Sequence, residues 1–305
     1  MAKVMNILIT GGKGFLAGRL NEFLKKKKLK VTISSRVKSK NFAKINWNSN
    51  ENLNQLCKDK DVIINCAGLD SHGCKVKKKA IKVNSVYPLK LLKAAKKNNV
   101  KLFIFLSTFH VYKLKGGQIF ENGKLNRNSN YTLSKIKGEQ NILKGKSKTT
   151  KVLVLRICNL FGYPYFKNKN CWRLLINSAI KGLIEKNKFI IKSKENNYRN
   201  YSSVQSFNEF VLNIILKFSN SKKFPKIMNY CSEKNISITE ICNILIKKIN
   251  DDKKKLLFKY SKLKKIKKTI FTSKHQKRFK KLKDKYFHLE LKKLIQYTRK
   301  SYNER

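Results

Sequence analysis

The sequence predicts an α/β fold, a doubly wound parallel sheet followed by a smaller mixed region, on three observations. Short apolar runs alternate with amphipathic stretches through the first half of the chain. The runs are rich in β-branched residues and leucine throughout, as strands covered on both faces require. A glycine-rich turn follows the first run directly and opens the first helix-period segment.

The strands fall at residues 4–10, 30–34, 62–67, 102–107 and 152–157. In the first helical stretch Leu16, Leu20, Phe23 and Leu24 share a face, with lysines opposite. Leu91, Leu92 and Ala95 do the same in another, where Pro88 marks a start or a kink. After Gly162 the rhythm changes. A loop at 163–170 leads to an apolar helix at 172–184, a short strand at 189–191, a helix at 207–218, a strand at 227–230 and a helix at 237–249 capped by Ser237 and Thr239. The last 55 residues are lysine-rich with weak apolar periodicity. The division expected is 1–162 as a nucleotide-binding domain and 163–305 as a substrate-binding region that returns some elements to the main sheet.

Bulk composition narrows the function classes. At 305 residues and 41% hydrophobic content the chain buries a real core. No apolar run approaches the ~20 residues of a membrane span, and the N-terminus reads straight into a strand, so a soluble cytoplasmic protein without a membrane partner is expected. Seven scattered cysteines and four dispersed histidines form no zinc-type spacing, so no metal is expected. The net charge of +55 is mostly lysine and is spread along the chain, including the runs 25–28, 77–79 and 253–255. Asparagine and isoleucine are abundant alongside it, as AT-biased coding gives. No specific nucleic-acid partner is expected, because such readers cluster arginine and aromatics on a module.

The glycine turn is Thr10-Gly11-Gly12-Lys13-Gly14-Phe15-Leu16-Ala17-Gly18. Gly11 permits the tight turn, Gly14 lets the backbone approach a pyrophosphate, and Ala17 keeps the helix close to the sheet. Phosphates would then sit on the helix N-terminus, as in Rossmann dinucleotide sites. The second strand ends in Ser34-Ser35-Arg36, with Lys38 and Lys40 beyond, where an acidic residue would hold an NAD ribose. Arg36 suits a 2′-phosphate instead, so the cofactor is NAD or NADP with NADP favoured. Tyr131 and Lys135 stand one helical turn apart, and the ammonium together with an oxidised nicotinamide would lower the phenol toward neutrality for acid/base work. The 102–107 strand ends at Ser107-Thr108-Phe109-His110, the sheet edge where ligands bind. His110 is open there as a second acid/base or as a packing or lid residue.

These motifs, with Asn65-Cys66-Ala67-Gly68, Val83-Asn84, Val111-Tyr112, Glu139 and Arg156-Ile157-Cys158-Asn159-Leu160-Phe161-Gly162, run in one order over nearly the whole chain. In that order the chain resembles the extended short-chain dehydrogenase/reductase family, in its NAD-dependent epimerase/dehydratase branch acting on nucleotide sugars. The resemblance implies Thr108, Tyr131 and Lys135 as catalytic residues. It implies a cofactor held by Gly11, Gly12, Lys13, Gly14, Phe15, Leu16, Arg36, Ala67, Gly68, Asn84, Tyr131 and Lys135. Thr108, Asn159 and Arg199 would bind a nucleotide-diphosphate sugar, Arg199 by gripping the diphosphate. Asn170-Cys171-Trp172 is similar to a subgroup of surface-polysaccharide enzymes. A homodimer is implied by analogy.

Departures bear on the reaction. Ala17 replaces a glycine, Asn200 follows Arg199 where the family has aspartate, and Ser206 replaces a later aspartate. Tyr163 replaces the proline after Gly162, and no Asp-Glu pair follows Thr108, which argues against a dehydratase. The expected function is a nucleotide-sugar epimerase working by hydride transfer with Tyr131 as acid/base. The alternatives are an NADPH-dependent 4-ketosugar reductase, toward which Arg36 leans, and a non-catalytic Rossmann binding protein, against which the intact triad argues.

Overall fold

The computed structural model describes residues 5–114, 116–145, 147, 149–191, 196–218, 223–249, 257–259, 264, 267–275 and 284–304. The first residue of the expected 4–10 strand and the basic run 253–255 lie outside them. In chain order the first half contains β1 (Asn6–Thr10), α1 (Phe15–Lys26), β2 (Lys30–Ser35), β3 (Ala43–Lys44), α2 (Asn50–Cys57), β4 (Val62–Asn65), α3 (Lys77–Ile81), α4 (Tyr87–Lys97), β5 (Leu102–Thr108), β6 (Gly117–Ile119), α5 (Asn130–Lys144) and β7 (Lys151–Ile157). The second half contains β8 (Asn159–Phe161), α6 (Leu175–Lys186), β9 (Lys188–Ile190), β10 (Tyr198–Ser203), α7 (Val204–Lys217), β11 (Ile227–Tyr230), β12 (Asn235–Ser237), α8 (Ile238–Ile249), β13 (Leu257–Lys259), β14 (Thr269–Phe271) and α9 (Phe287–Asn303).

The main sheet is seven-stranded and wholly parallel, in the order β11-β7-β5-β4-β1-β2-β3. The chain runs outward from β1 through β2 to β3, then crosses to β4 on the opposite side, so strand order reverses between β1 and β4. A crevice opens at the carboxyl ends of strands at such a point. Ile7, Ile9, Ile64, Ile104 and Leu155 bury one face under α1 and α7, and Leu8, Ile63, Phe103, Phe105 and Val154 bury the other under α2 and α4. Each fully buried side chain of this size contributes about 1.5–3 kcal/mol. Both α7 and β11 come from beyond residue 162: α7 packs on α1, and β11 pairs with β7.

The remaining second-half elements form a smaller mixed region. It holds a three-stranded sheet β12-β10-β8 and the pairs β13-β9 and β14-β6, with α6, α8 and α9 packed around Phe161, Ile180, Leu183, Leu245, Phe287 and Leu291. α9 is the element that the weak periodicity of the last 55 residues did not signal. Only Phe287, Leu291, Leu294 and Ile295 make its apolar stripe, and the face opposite is lysine. The apolar helix expected at 172–184 begins at Leu175 instead, because Leu174 is extended (φ −71°, ψ 136°) and Lys169–Arg173 form a separate 3₁₀ turn.

Pro88 marks the start of α4, as expected. It sits in the first turn of α4 and has no N–H to give the Asn84 carbonyl four residues back; Lys82–Val86 widen into a π-helical turn that joins α3 to α4. Gly138 of α5 packs on that spot, where a Cβ would lie 2.3 Å from the Asn84 oxygen. Close packing of α5 on this turn brings the helix that carries Tyr131 over the crevice.

Candidate active site

The crevice begins at the β1–α1 turn. Gly11 adopts φ +77°, and a Cβ there would lie 2.8 Å from the Ala67 nitrogen, so only glycine lets the turn press against the chain leaving β4. Thr10 Oγ1 donates to Asn65 Oδ1 at 2.7 Å and accepts from the Ala67 N–H at 3.3 Å, tying the two strand ends together. The Gly12 N–H donates to the Ser34 carbonyl at 2.8 Å. Gly14 caps α1 with no side-chain acceptor, and no acidic residue lies in the first turn of α1. The first-turn N–H groups and the positive end of α1 are thus available to an anion at a cavity lined by Gly14 and Phe15. Leu16 turns away and packs against the core under the sheet, so of the turn residues it is a wall rather than a lining group. Lys13 and Arg36 are exposed, Arg36 just past the end of β2.

On the β4 side, Gly68 lies under Lys135 and Asn84. A Cβ on it would come within 3.3 Å of Lys135 Nζ and 3.0 Å of Asn84 Oδ1, so the cradle fits a flat group laid against the backbone. Asn84 is fully buried in the π turn. It accepts from the Leu69 N–H at 2.7 Å and donates to the Leu69 carbonyl and to Ser134 Oγ at 3.2 and 3.0 Å. This fixes the Gly68–Leu69 chain against α5.

A Ser129/Thr132 capping box starts α5 and thereby sets where Tyr131 and Lys135 point. Lys135 is buried and donates to the Leu106 carbonyl at 3.0 Å, with its ammonium 5.2 Å from the Phe105 ring centroid. Burial lowers its pKa to about 8. Tyr131 is half-buried on the cavity wall and shares a side-chain hydrogen bond with Thr108, the last residue of β5. Burial pushes the phenol up to about 12, although the Thr108 hydrogen bond opposes this. The protein groups alone therefore leave the phenol high, because desolvation outweighs that bond and Lys135 gives its hydrogen bond to Leu106; the lowering expected from the sequence needs an oxidised nicotinamide beside the ammonium.

Behind this pair lies a buried polar network. Ser107 Oγ donates to Glu139 at 2.5 Å, Glu139 pairs with Arg156 at 2.6 Å, and Arg156 donates to Tyr112 and the Glu121 carbonyl at 2.7 and 2.9 Å. Tyr112 in turn donates to Asn229 Oδ1 at 2.7 Å. The network locks β5, α5, β7 and β11 together next to Thr108.

The same cavity, about 1010 Å³, runs from Gly14 and Gly68 past Tyr131 to the second lobe, where Asn159, Arg199 and Tyr201 line it. Asn159 Nδ2 donates to the Asn200 carbonyl at 3.0 Å, which aligns β8 beside β10. Asn200 itself is buried and serves the fold, donating to the Ser232 carbonyl and accepting its N–H. Ser206 has a carboxylate after all, but from elsewhere. Asp284 accepts from Ser206, Ser203 and Ser202 hydroxyls and the Ser203 N–H at 2.6–2.9 Å.

Segment 163–173 crosses from one lobe to the other. Asn168 donates to the Lys13 carbonyl at 2.6 Å, and Arg173 pairs with Asp70 at 3.1 Å. Below it Arg19 is buried against the Tyr163 ring at 3.8 Å and bonded to Glu290 of α9 at 2.7 Å. The structure brings Gly14, Phe15, Gly68, Tyr131, Asn159 and Arg199 to one cavity, with Thr108, Lys135 and Asn84 directly behind its wall. Asp70, Arg173 and Tyr201 line it too, without local sequence signal; only the fold of the second lobe assembles them. Among the described residues no helix is long and apolar enough to cross a membrane.

Comparison with known proteins agrees with this arrangement. The profile of the NAD dependent epimerase/dehydratase family matches residues 7–230. No curated protein matches the chain in sequence. Among solved structures, a UDP-N-acetylglucosamine 4-epimerase from Methanobrevibacter ruminantium M1 in complex with UDP-N-acetylmuramic acid has a TM-score of 0.80 at 19% identity, covering 98% of this chain and 99% of that one. The UDP-glucuronic acid 4-epimerase from Bacillus cereus in complex with UDP-glucuronic acid and NAD has 0.78 at 19% identity, covering 98% and 100%. TunA, an NAD-dependent NDP-hexosamine 5,6-dehydratase of tunicamycin biosynthesis, has 0.74 at 17% identity, covering 99% and 98%. At these identities the likeness is one of fold.

Proposed function

The chain belongs to the NAD-dependent epimerase/dehydratase family of enzymes, and from that premise we propose that it is a nucleotide-sugar epimerase acting by hydride transfer at a sugar carbon, with Tyr131 moving the proton. One observation carries the reading. The uncapped N-terminus of α1, Tyr131 with Thr108 and Lys135 behind it, and Arg199 share a single continuous cavity of about 1010 Å³.

In this reading the amides around Gly14 hold the pyrophosphate of the cofactor, and Ala67, Gly68 and Asn84 form the bed beneath its reactive end. When bound, the oxidised nicotinamide supplies the hydride acceptor and a positive charge beside Tyr131. Thr108 orients the oxygen on the reacting carbon, and Tyr131 takes the proton of that hydroxyl and later returns it. Lys135, buried and one turn along α5, keeps a cation near the phenolate. Arg199 pairs with the diphosphate through its planar fork, and Asn159 bonds the sugar nucleotide. The paired lobes would exclude water while the substrate is a ketone.

A second reading has its own observation. Arg36, exposed at the end of β2 with no carboxylate beside it in sequence, suits an NADP 2′-phosphate and therefore a 4-ketosugar reductase that exchanges its cofactor. One assay separates the two. Purified protein incubated with UDP-hexoses and NAD⁺ should interconvert an epimer pair with no net nicotinamide reduction, and Tyr131→Phe should abolish it. Stoichiometric NADPH consumption with a 4-ketosugar would establish the reductase, and undiminished turnover by Tyr131→Phe would refute both.

A further inference from the structure

Between the two ends of the cavity stands His110. Its backbone N–H donates to Thr108 Oγ1 at 3.3 Å, which anchors it to the end of β5. The Phe109 ring supports the imidazole from one side, with centroids 4.1 Å apart, and Tyr131 meets it edge-on at 6.3 Å. Arg199 is close enough across the cavity to act on it electrostatically. The ring is exposed on the cavity wall, and its nitrogens have no hydrogen-bond partner among the described residues. A polar ring clamped by aromatics, aimed into a substrate-sized space and left unbonded, is placed to meet a ligand atom.

We propose that His110 is a specificity residue that hydrogen-bonds a polar substituent on the pyranose carbons lying between the phosphate and the reacting carbon. This rests on the nucleotide-sugar reading above. A substrate that holds its diphosphate on Arg199 and its reacting hydroxyl on Tyr131 must lay the intervening atoms past His110, because His110 neighbours both. In a hexose linked to phosphate at C1 and reacting at C4, those atoms are C2 and C3 on one ring edge and the ring oxygen and C5 on the other, with polar substituents at C2 and C3 (hydroxyl or acetamido) and on C6. Poor hydration inside the cavity, and after it the charge of Arg199, lower the imidazole to about 4, so it stands neutral at physiological pH with one donor and one acceptor nitrogen. It therefore adds no second cation for the diphosphate. Its contribution goes to the sugar and not to the nucleotide.

The test is titration calorimetry of the full chain saturated with NAD⁺, using UDP, UDP-glucose and UDP-N-acetylglucosamine as probes. In His110→Ala the Kd of the tighter UDP-hexose should rise about tenfold, the worth of one hydrogen bond, while the Kd of UDP stays within about twofold. His110→Gln, which keeps a donor and an acceptor, should recover most of the loss. Unchanged NAD⁺ affinity and thermal midpoint in both variants separate this from misfolding. Equal weakening of UDP and UDP-hexose, or no change in either, overturns the role of His110 alone. A wild-type protein that binds neither UDP-hexose more tightly than UDP overturns the nucleotide-sugar reading as well.

Discussion

Replacing Lys135 by methionine should make the cofactor-free protein more stable at pH 7 while removing its activity. Lys135 is only 8% exposed, and burial lowers its pKa from 10.5 to about 8. That distance corresponds to about 3 kcal/mol, at roughly 1.4 kcal/mol per pH unit. Between pH 8 and 10.5 the unfolded chain holds a proton at Lys135 that the folded chain has released, so stability rises with pH through that window. Below pH 8 the whole deficit is present. Methionine removes it at similar length but forfeits the 3.0 Å bond to the Leu106 carbonyl, a loss of about 1 kcal/mol. The net expectation is a gain of about 2 kcal/mol at pH 7, shrinking to nearly nothing by pH 10, measured by urea unfolding of both proteins across that range. Turnover should fall by at least about a hundredfold. A stability difference that stays constant from pH 7 to pH 10, or a variant less stable than the wild type at pH 7, would refute the reasoning. The instability would then not come from desolvating this charge.

Other perturbations probe the frame around the site. Glu139→Ala leaves Arg156 buried without its 2.6 Å partner and should cost about 3–5 kcal/mol, read as a lower unfolding midpoint. Pairing Glu139→Leu with Arg156→Met should recover most of that loss; if it recovers none, the ion pair is not what the single variant removed. Asp284→Asn keeps one acceptor oxygen for four donors and should destabilise by about 2 kcal/mol, with faster amide exchange in the first turn of α7. Arg36→Ala should weaken NADP binding about tenfold or more and leave NAD binding unchanged, by fluorescence titration. An unaltered ratio of the two affinities would remove Arg36 from cofactor choice.

The parallel sheet and its first turn were legible because their causes are local. Apolar runs such as Val62 to Asn65 and Leu102 to Ser107 can only be buried on both faces, and Gly11 and Gly14 stand where a strand must turn tightly into a helix. The Tyr131–Lys135 spacing and the order of motifs also survive in one dimension, since a helix turn fixes residues four apart. α9 was not legible. Its four buried apolar residues are scattered among lysines, and they pack on α6 and α8 while Arg19 of α1 reaches Glu290, a pair 271 residues apart in the chain.

The sequence by itself determined the main strands of the first half, the glycine turn and the candidate acid/base pair, because each follows from spacing along the backbone. Only the tertiary structure decided what faces the cavity. It brought His110 between Tyr131 and Arg199, laid Asn168 and Arg173 across to Lys13 and Asp70, and gave Ser206 the carboxylate of Asp284. The last three of those contacts join residues 78 to 155 positions apart. No local propensity encodes such a meeting; packing of β10 and α9 against the first half creates it.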